Sequence, residues 1–202
     1  MNIQNKNMIS YIGIATCIIY FLVVVGFLVF KTDTLLTGWE VVTILSAPVF
    51  LLILLSILND TCNCNKTWRH LAIVFMSCTI MLTSMAHFVN ITVTRRLLSD
   101  GYKVPDYLQI GKWPSVEMAI DYLAWGFFLG LAFLCTAFAI DKANSKMKNL
   151  KYTLFVCGLL CLAGIIGVVL INENCWYLAP LGYGFGTIFI CIEMIKLNRS
   201  FV

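Results

Sequence analysis

The sequence predicts an all-α membrane protein, a bundle of six transmembrane helices. Two observations carry that expectation. Residues of hydrophobic type make up 60% of the 202-residue chain and charged residues only 12%, against about 25% charged in ordinary soluble domains. The apolar residues also fall into six continuous runs, each near the roughly 20 residues that a helix needs to cross a hydrocarbon core. Barrel strands would instead alternate in polarity over about 10 residues, and in lipid only helices or closed barrels satisfy their backbone groups.

The expected spans are Met8–Phe30, Val41–Asn59, Leu71–Thr94, Met118–Ile140, Tyr152–Asn172 and Trp176–Ile195, within a single membrane domain covering residues 1–202. The first run exceeds a signal-peptide core and has no small-x-small cleavage pattern after Lys31, so it reads as a retained span. Orientation follows from the cationic residues between spans. Nine of the 14 Lys and Arg residues fall on the side of the N-terminus and five on the other. The excess places both termini in the cytoplasm of a plasma-membrane protein. The net charge of +4 then reports topology. No basic stripe interleaved with aromatics is present, so nucleic acid is excluded as a partner.

Between the spans most connections are short. The exception is the outer connection of residues 95–117, which carries Asp100-Gly101, Pro105 and Pro114 along with Tyr107, Leu108 and Trp113. Trp39, Trp68, Trp113 and Trp176 fall at span ends, the headgroup level that indole prefers, whereas Trp125 lies inside the fourth span. Six of the nine cysteines lie within helices and behave as small apolar groups. Cys62, Cys64 and His70 form a weak metal-ligand set, because C-x-C without a second pair is not a zinc knuckle. No cofactor is expected.

Chemistry is most readily located by titratable groups within spans, which are costly in lipid and so tend to face the bundle interior. The expected spans hold three: His87, Asp121 and Glu193. His87 and Asp121 stand at similar depths below the outer boundary on consecutive spans, close enough to meet. Thr79, Thr83, His87, Asn90 and Thr94 recur every three or four residues, making one polar face. Asp121 shares a face with Glu117, Met118 and Trp125. An imidazole with a carboxylate partner, lined by Thr83, Asn90 and Trp125, fits a site that binds a polar ligand or relays a proton. The alternatives for these residues are an interhelical hydrogen bond or an ion pair from Asp121 to Arg95 or Arg96. Glu193 stands three residues before Lys196, where a surface ion pair accounts for it.

Gly126 and Gly130, and again Gly182 and Gly186, have the G-x-x-x-G spacing that lets helix backbones approach. Pro48 and Pro180 mark expected kinks in the second and sixth spans. At His87-Phe88-Val89-Asn90, Arg95-Arg96 and the segment Asp121–Gly130, the chain resembles small multi-pass bacterial integral membrane proteins with no assigned activity. The resemblance covers the third and fourth spans and implies a class, with no mechanism.

Three functions are therefore expected in order. The first is binding or translocation of a small solute or proton between spans three and four. The second is intramembrane chemistry on a lipid-like substrate, with His87 as general base. The third is a non-catalytic assembly or sensor subunit, forming a homo-oligomer or joining a membrane partner through its glycine faces. The bilayer is the common partner of all three.

Overall fold

A computed structural model of the protein describes residues 3–61, 66–110, 112–141 and 144–199. Six helices in it are long and apolar enough to cross a membrane: α1 (Ile3–Phe30), α2 (Asp33–Asn59), α3 (Lys66–Ser99), α4 (Val116–Ala139), α5 (Ser145–Leu170) and α6 (Glu173–Arg199). The described residues include no strand. The chain is thus an all-α, multi-pass membrane protein. Each helix packs on the next, and α1 closes the ring against α6. Short connections force this antiparallel neighbour packing except between α3 and α4, which residues 100–115 join, and an even number of crossings leaves both termini on one face. That end is called the terminal face below, and the opposite end the far face.

Every helix buries a stripe with helical spacing. On α1 it is only Ser10, Gly13 and Cys17, while Leu22 and Phe30 remain 67% and 71% exposed toward the lipid side. Gly13 is where α1 meets two neighbours: a β-carbon there would stand 2.7 Å from Ile53 Cδ1 and 2.8 Å from Cys191 Sγ. On α3 the polar face read from the sequence is buried throughout, from Thr79 to Thr94, and Ala72 and Met76 extend it toward the terminal face.

The glycine pairs find their partner inside the chain. Gly126 and Gly130 of α4 pack on Cys161, Ile165 and Gly158 of α5, and Gly182 and Gly186 of α6 pack on Cys157 and Cys161 of the same helix. Both pairs therefore contribute to one seam, with α5 at its centre, rather than standing free on the outside.

Helix boundaries differ from the expected spans in two places that bear on function. α2 begins at Asp33, directly after a two-residue turn whose Lys31 adopts a left-handed φ of 49°. Thr32 caps it, its Oγ1 accepting from Leu35 N–H at 3.4 Å. Glu40, assigned to a loop from the sequence, accordingly lies about two turns inside a helix. α3 runs on to Ser99, so Arg95 and Arg96 are helical rather than part of the outer loop. The prolonged helix escapes a hydropathy reading because its last turns carry Arg95, Arg96 and Ser99.

Three helices each contain one π-helical turn: Asn90–Thr94 in α3, Leu123–Phe128 in α4 and Leu181–Phe185 in α6. In α6 the cause is local. Pro180 has no N–H to continue the helical ladder, and the wider turn begins immediately after it. Gly182 and Gly184 lie within this turn, and Gly186 follows it. Pro48 is accommodated within α2 without ending it. Such turns recur at functional sites because they locally re-aim side chains, and here those of α4 and α6 border one cavity, through Trp125, Gly126 and Tyr183.

Candidate functional site: a cavity at the far face

The terminal half of the ring is filled. Ile53, Leu54, Ile57, Met76, Leu129, Phe133, Leu154 and Ile190 are each at most 1% exposed. The far half is not. A cavity of about 500 Å³ opens between the helices there, bordered by residues of all six.

Two carboxylates and one imidazole from helix interiors border it: Glu40 from α2, His87 from α3 and Asp121 from α4. Asp121 Oδ1 stands 3.3 Å from His87 Nε2, close enough for a strong charge interaction. The contact is not aligned as a hydrogen bond, and neither ring nitrogen of His87 has a protein hydrogen-bond partner. The imidazole is buried, with its side chain 3% exposed, whereas the Asp121 side chain retains 20% exposure.

Glu40 is held differently. At 1% exposure its carboxylate must be compensated, and Arg95 Nη1 donates to its Oε2 at 3.1 Å. The Asn90 amide donates to Oε1. Arg95 also donates to the Thr37 hydroxyl and, at 2.7 Å, to the Asp33 carbonyl. The extra helical turns of α3 are what carry Arg95 to this position. The guanidinium therefore serves Glu40, and the alternative in which Arg95 pairs with Asp121 is corrected; Arg96 is exposed.

The five residues expected from the sequence divide accordingly. His87, Asp121 and Trp125 border the cavity. Asn90 lies behind it as a support for Glu40, and Thr83 is buried with its hydroxyl lacking a protein partner. Thr79 ties α3 to α4 by donating to the Ala124 carbonyl at 3.3 Å. Glu193 and Lys196 form an ion pair at 2.7 Å away from the cavity. Cys62 and Cys64 lie outside the described residues, and His70 is exposed. Among the described residues no three His, Cys, Asp or Glu side chains cluster as metal ligands.

Aromatic rings supply much of the remaining wall. Eight of the 24 bordering residues are Phe, Tyr or Trp, and they include four of the five tryptophans of the chain. Trp39, Trp113 and Trp176, read from the sequence as interfacial anchors, border the cavity; their inward aspect depends on packing that position along the chain does not reveal. Trp113 packs on Tyr122, ring centres 5.2 Å apart, and draws the long connection over the far end of α4. That segment is also tethered by the Thr94 hydroxyl, which donates to the Leu108 carbonyl at 3.3 Å.

The cavity floor is a cluster of three rings. Trp125 lies 5.0 Å from Tyr183, centre to centre, and the hydroxyls of Tyr20 and Tyr183 are 3.3 Å apart. These three side chains also border a smaller space beneath, together with Thr16, Cys17, Ser46, Phe50 and Gly184. Trp125 and Tyr183 both stand in π-helical turns. A short aromatic partition, set in two irregular helices, thus separates the large cavity from a void of about 10 Å³ nearer the terminal face.

Compared with known proteins, the chain matches no family model, no curated protein sequence and no solved structure.

Proposed function

We propose that the protein binds a small solute in the far-face cavity and acts in its passage across the cell membrane, with His87 and Asp121 as the polar contact. With the termini in the cytoplasm, as the distribution of Lys and Arg favours, the cavity lies in the outer half. The observation that supports this reading best is the convergence of Glu40, His87 and Asp121 on one space of about 500 Å³. Pockets of roughly 300–1,000 Å³ with apolar walls and a few convergent polar groups are the usual form of small-ligand sites. Titratable side chains are kept at membrane depth only where they have partners or a task.

The aromatic floor gives the site a direction. Ligand entering from the outer side meets Tyr20, Trp125 and Tyr183 before the smaller space beneath. A shift of those rings would join the two spaces. Covalent chemistry through a hydroxyl or thiol of Ser, Thr or Cys has less support, because the described residues bordering the large cavity include none of these.

Tryptophan fluorescence tests the reading directly. Trp68 is the one tryptophan away from the cavity, so the W68F protein reports on the cavity alone. In liposomes, acrylamide in the outer water should quench this emission strongly, including its most blue-shifted part from Trp125. Brominated acyl chains should quench that part weakly. The opposite pattern would mean that the space is filled by lipid, and the solute reading would fall.

A further inference from the structure

We propose that the solute is a small organic cation with an apolar body, and that it competes with a proton on His87 for the carboxylate of Asp121. This rests on the solute-binding reading above and specifies its ligand.

The charges around the cavity separate into three sets. At the mouth, Glu173 and Lys112 are both exposed and of opposite sign. Against α2, the Glu40 carboxylate is already engaged by the Arg95 guanidinium and the Asn90 amide. That leaves Asp121 as the deep carboxylate facing open space, with His87 beside it and the buried Glu117, which does not border the cavity, one turn before it on α4. With imidazole neutral, the Asp121 carboxylate has no cation against it. With imidazolium, it does.

An anion would therefore meet Asp121 and Glu40 with no free cation at depth, because Arg95 is committed. A cation meets Asp121 and the rings around it. Trp125, Tyr183, Tyr20 and Tyr122 border the same space from three helices, and ring faces attract an ammonium group by roughly 0.5–2 kcal/mol each according to desolvation. Trp39, Trp113 and Trp176 extend that lining toward the mouth, where an apolar body would lie.

The geometry also supplies the competition. His87 is 2% exposed and both its ring nitrogens lack a protein hydrogen bond, so the imidazole is oriented by packing rather than tied to a fixed acceptor. Nε2 at 3.3 Å from Oδ1 is close enough to neutralise the carboxylate once protonated. Cation binding would then displace the proton electrostatically, and a proton would release the cation. The other titratable groups on this side are Glu40 from α2, Glu117 and Tyr122 from α4, and Tyr20 and Tyr183 at the floor. Exchange of one positive charge for another at a single carboxylate is the stoichiometry this arrangement favours.

The test uses benzyltrimethylammonium, its uncharged isostere neopentylbenzene, and benzenesulfonate, each titrated against tryptophan emission of the W68F protein in detergent. Saturable quenching is expected with the cation, at least tenfold tighter than with either of the others. Its affinity should weaken roughly tenfold from about pH 8 to about pH 5.5, following imidazole protonation. D121N should remove the saturable phase, and H87Q should abolish the pH dependence, both measured on monodisperse protein with unchanged helical content. Equal binding of the uncharged isostere, or preference for benzenesulfonate, would overturn the cation assignment while leaving a solute site in place. Binding of none of the three would also overturn it, whereas the solute site itself stands or falls on acrylamide access. A cation affinity that ignores pH, or survives unchanged in D121N, would remove the competition at Asp121. Should D121N not fold, the wild-type comparison of the three probes and the pH series decide the matter.

Discussion

The two halves of the bundle solve the membrane problem in opposite ways. Near the terminal face, helices close on small and branched side chains, with Ala47, Ala72, Ala132 and Leu58 each at 0% exposure. Titratable groups there are paired at the rim, Lys6 with Asp60 and Glu193 with Lys196. Near the far face the same six helices diverge around a space, keep two buried or half-buried carboxylates and an imidazole against it and leave the imidazole nitrogens without hydrogen bonds. Dense packing accounts for cohesion in the first half. In the second half, open volume and titratable groups without hydrogen bonds cost stability, and such features concentrate where a ligand is to be accommodated.

The contrast is sharpest in stability measurements. Phe133→Ala, at a ring 1% exposed in the packed half, should cost about 3–5 kcal/mol in reversible denaturation, because the cavity left behind cannot collapse. Trp113→Ala at the cavity mouth should cost far less, since that ring is 37% exposed. Equal losses at the two sites would mean that the far half is as tightly built as the other.

The far half has one region that should behave like the packed half. Arg95→Ala removes the partner of a carboxylate that is 1% exposed, and leaving a buried charge unpaired costs about 3–5 kcal/mol. Glu40→Gln, which keeps an acceptor for Asn90 and Arg95, should cost less than half as much in the same unfolding assay. If Arg95→Ala were neutral, Glu40 would have to be neutral or hydrated in the folded protein, and the charge ledger of the cavity would change with it. Next in size comes the seam on α5. Gly158→Ala places a β-carbon 2.8 Å from the Gly130 carbonyl, and overpacking of this kind costs about 1–3 kcal/mol. Thermal unfolding should show it without loss of cation binding.

The sequence made the membrane architecture legible because hydropathy acts over whole spans. The polar face of α3 was also legible, since Thr79, Thr83, His87, Asn90 and Thr94 sit at helical spacing, and the approach of His87 to Asp121 followed from depth and adjacency. Glu40 was not visible as a buried group. Its charge lies at the edge of an apolar run, and only the tight turn at Lys31–Thr32 draws it into the helix. Arg95 was hidden for the same reason at the end of α3. The aromatic lining was concealed by a double role, because a tryptophan at headgroup depth is expected on physical grounds whether or not it faces inward. Tyr20 and Tyr183 carry no signal at all in isolation. They become a floor only because α1 and α6, the two ends of the chain, are neighbours in the ring.

The smallest stability effect is expected at the very residues to which function is assigned. Hydrogen bonds between membrane helices average only about 0.6 kcal/mol, partly because the unfolded chain in lipid also finds partners. The His87–Asp121 contact at 3.3 Å is not even aligned as such a bond. His87→Gln and Asp121→Asn should therefore each shift unfolding by no more than about 1 kcal/mol, while changing the pH dependence or the occurrence of cation binding. If the pair is instead a structural clasp between α3 and α4, each substitution should destabilise the protein, and the double variant should cost no more than either single one. Unchanged stability with altered binding belongs only to a site, and strongly coupled losses of stability belong only to a clasp. Measuring both quantities on the same four proteins separates a cavity kept open for a ligand from an imperfectly filled end of a bundle.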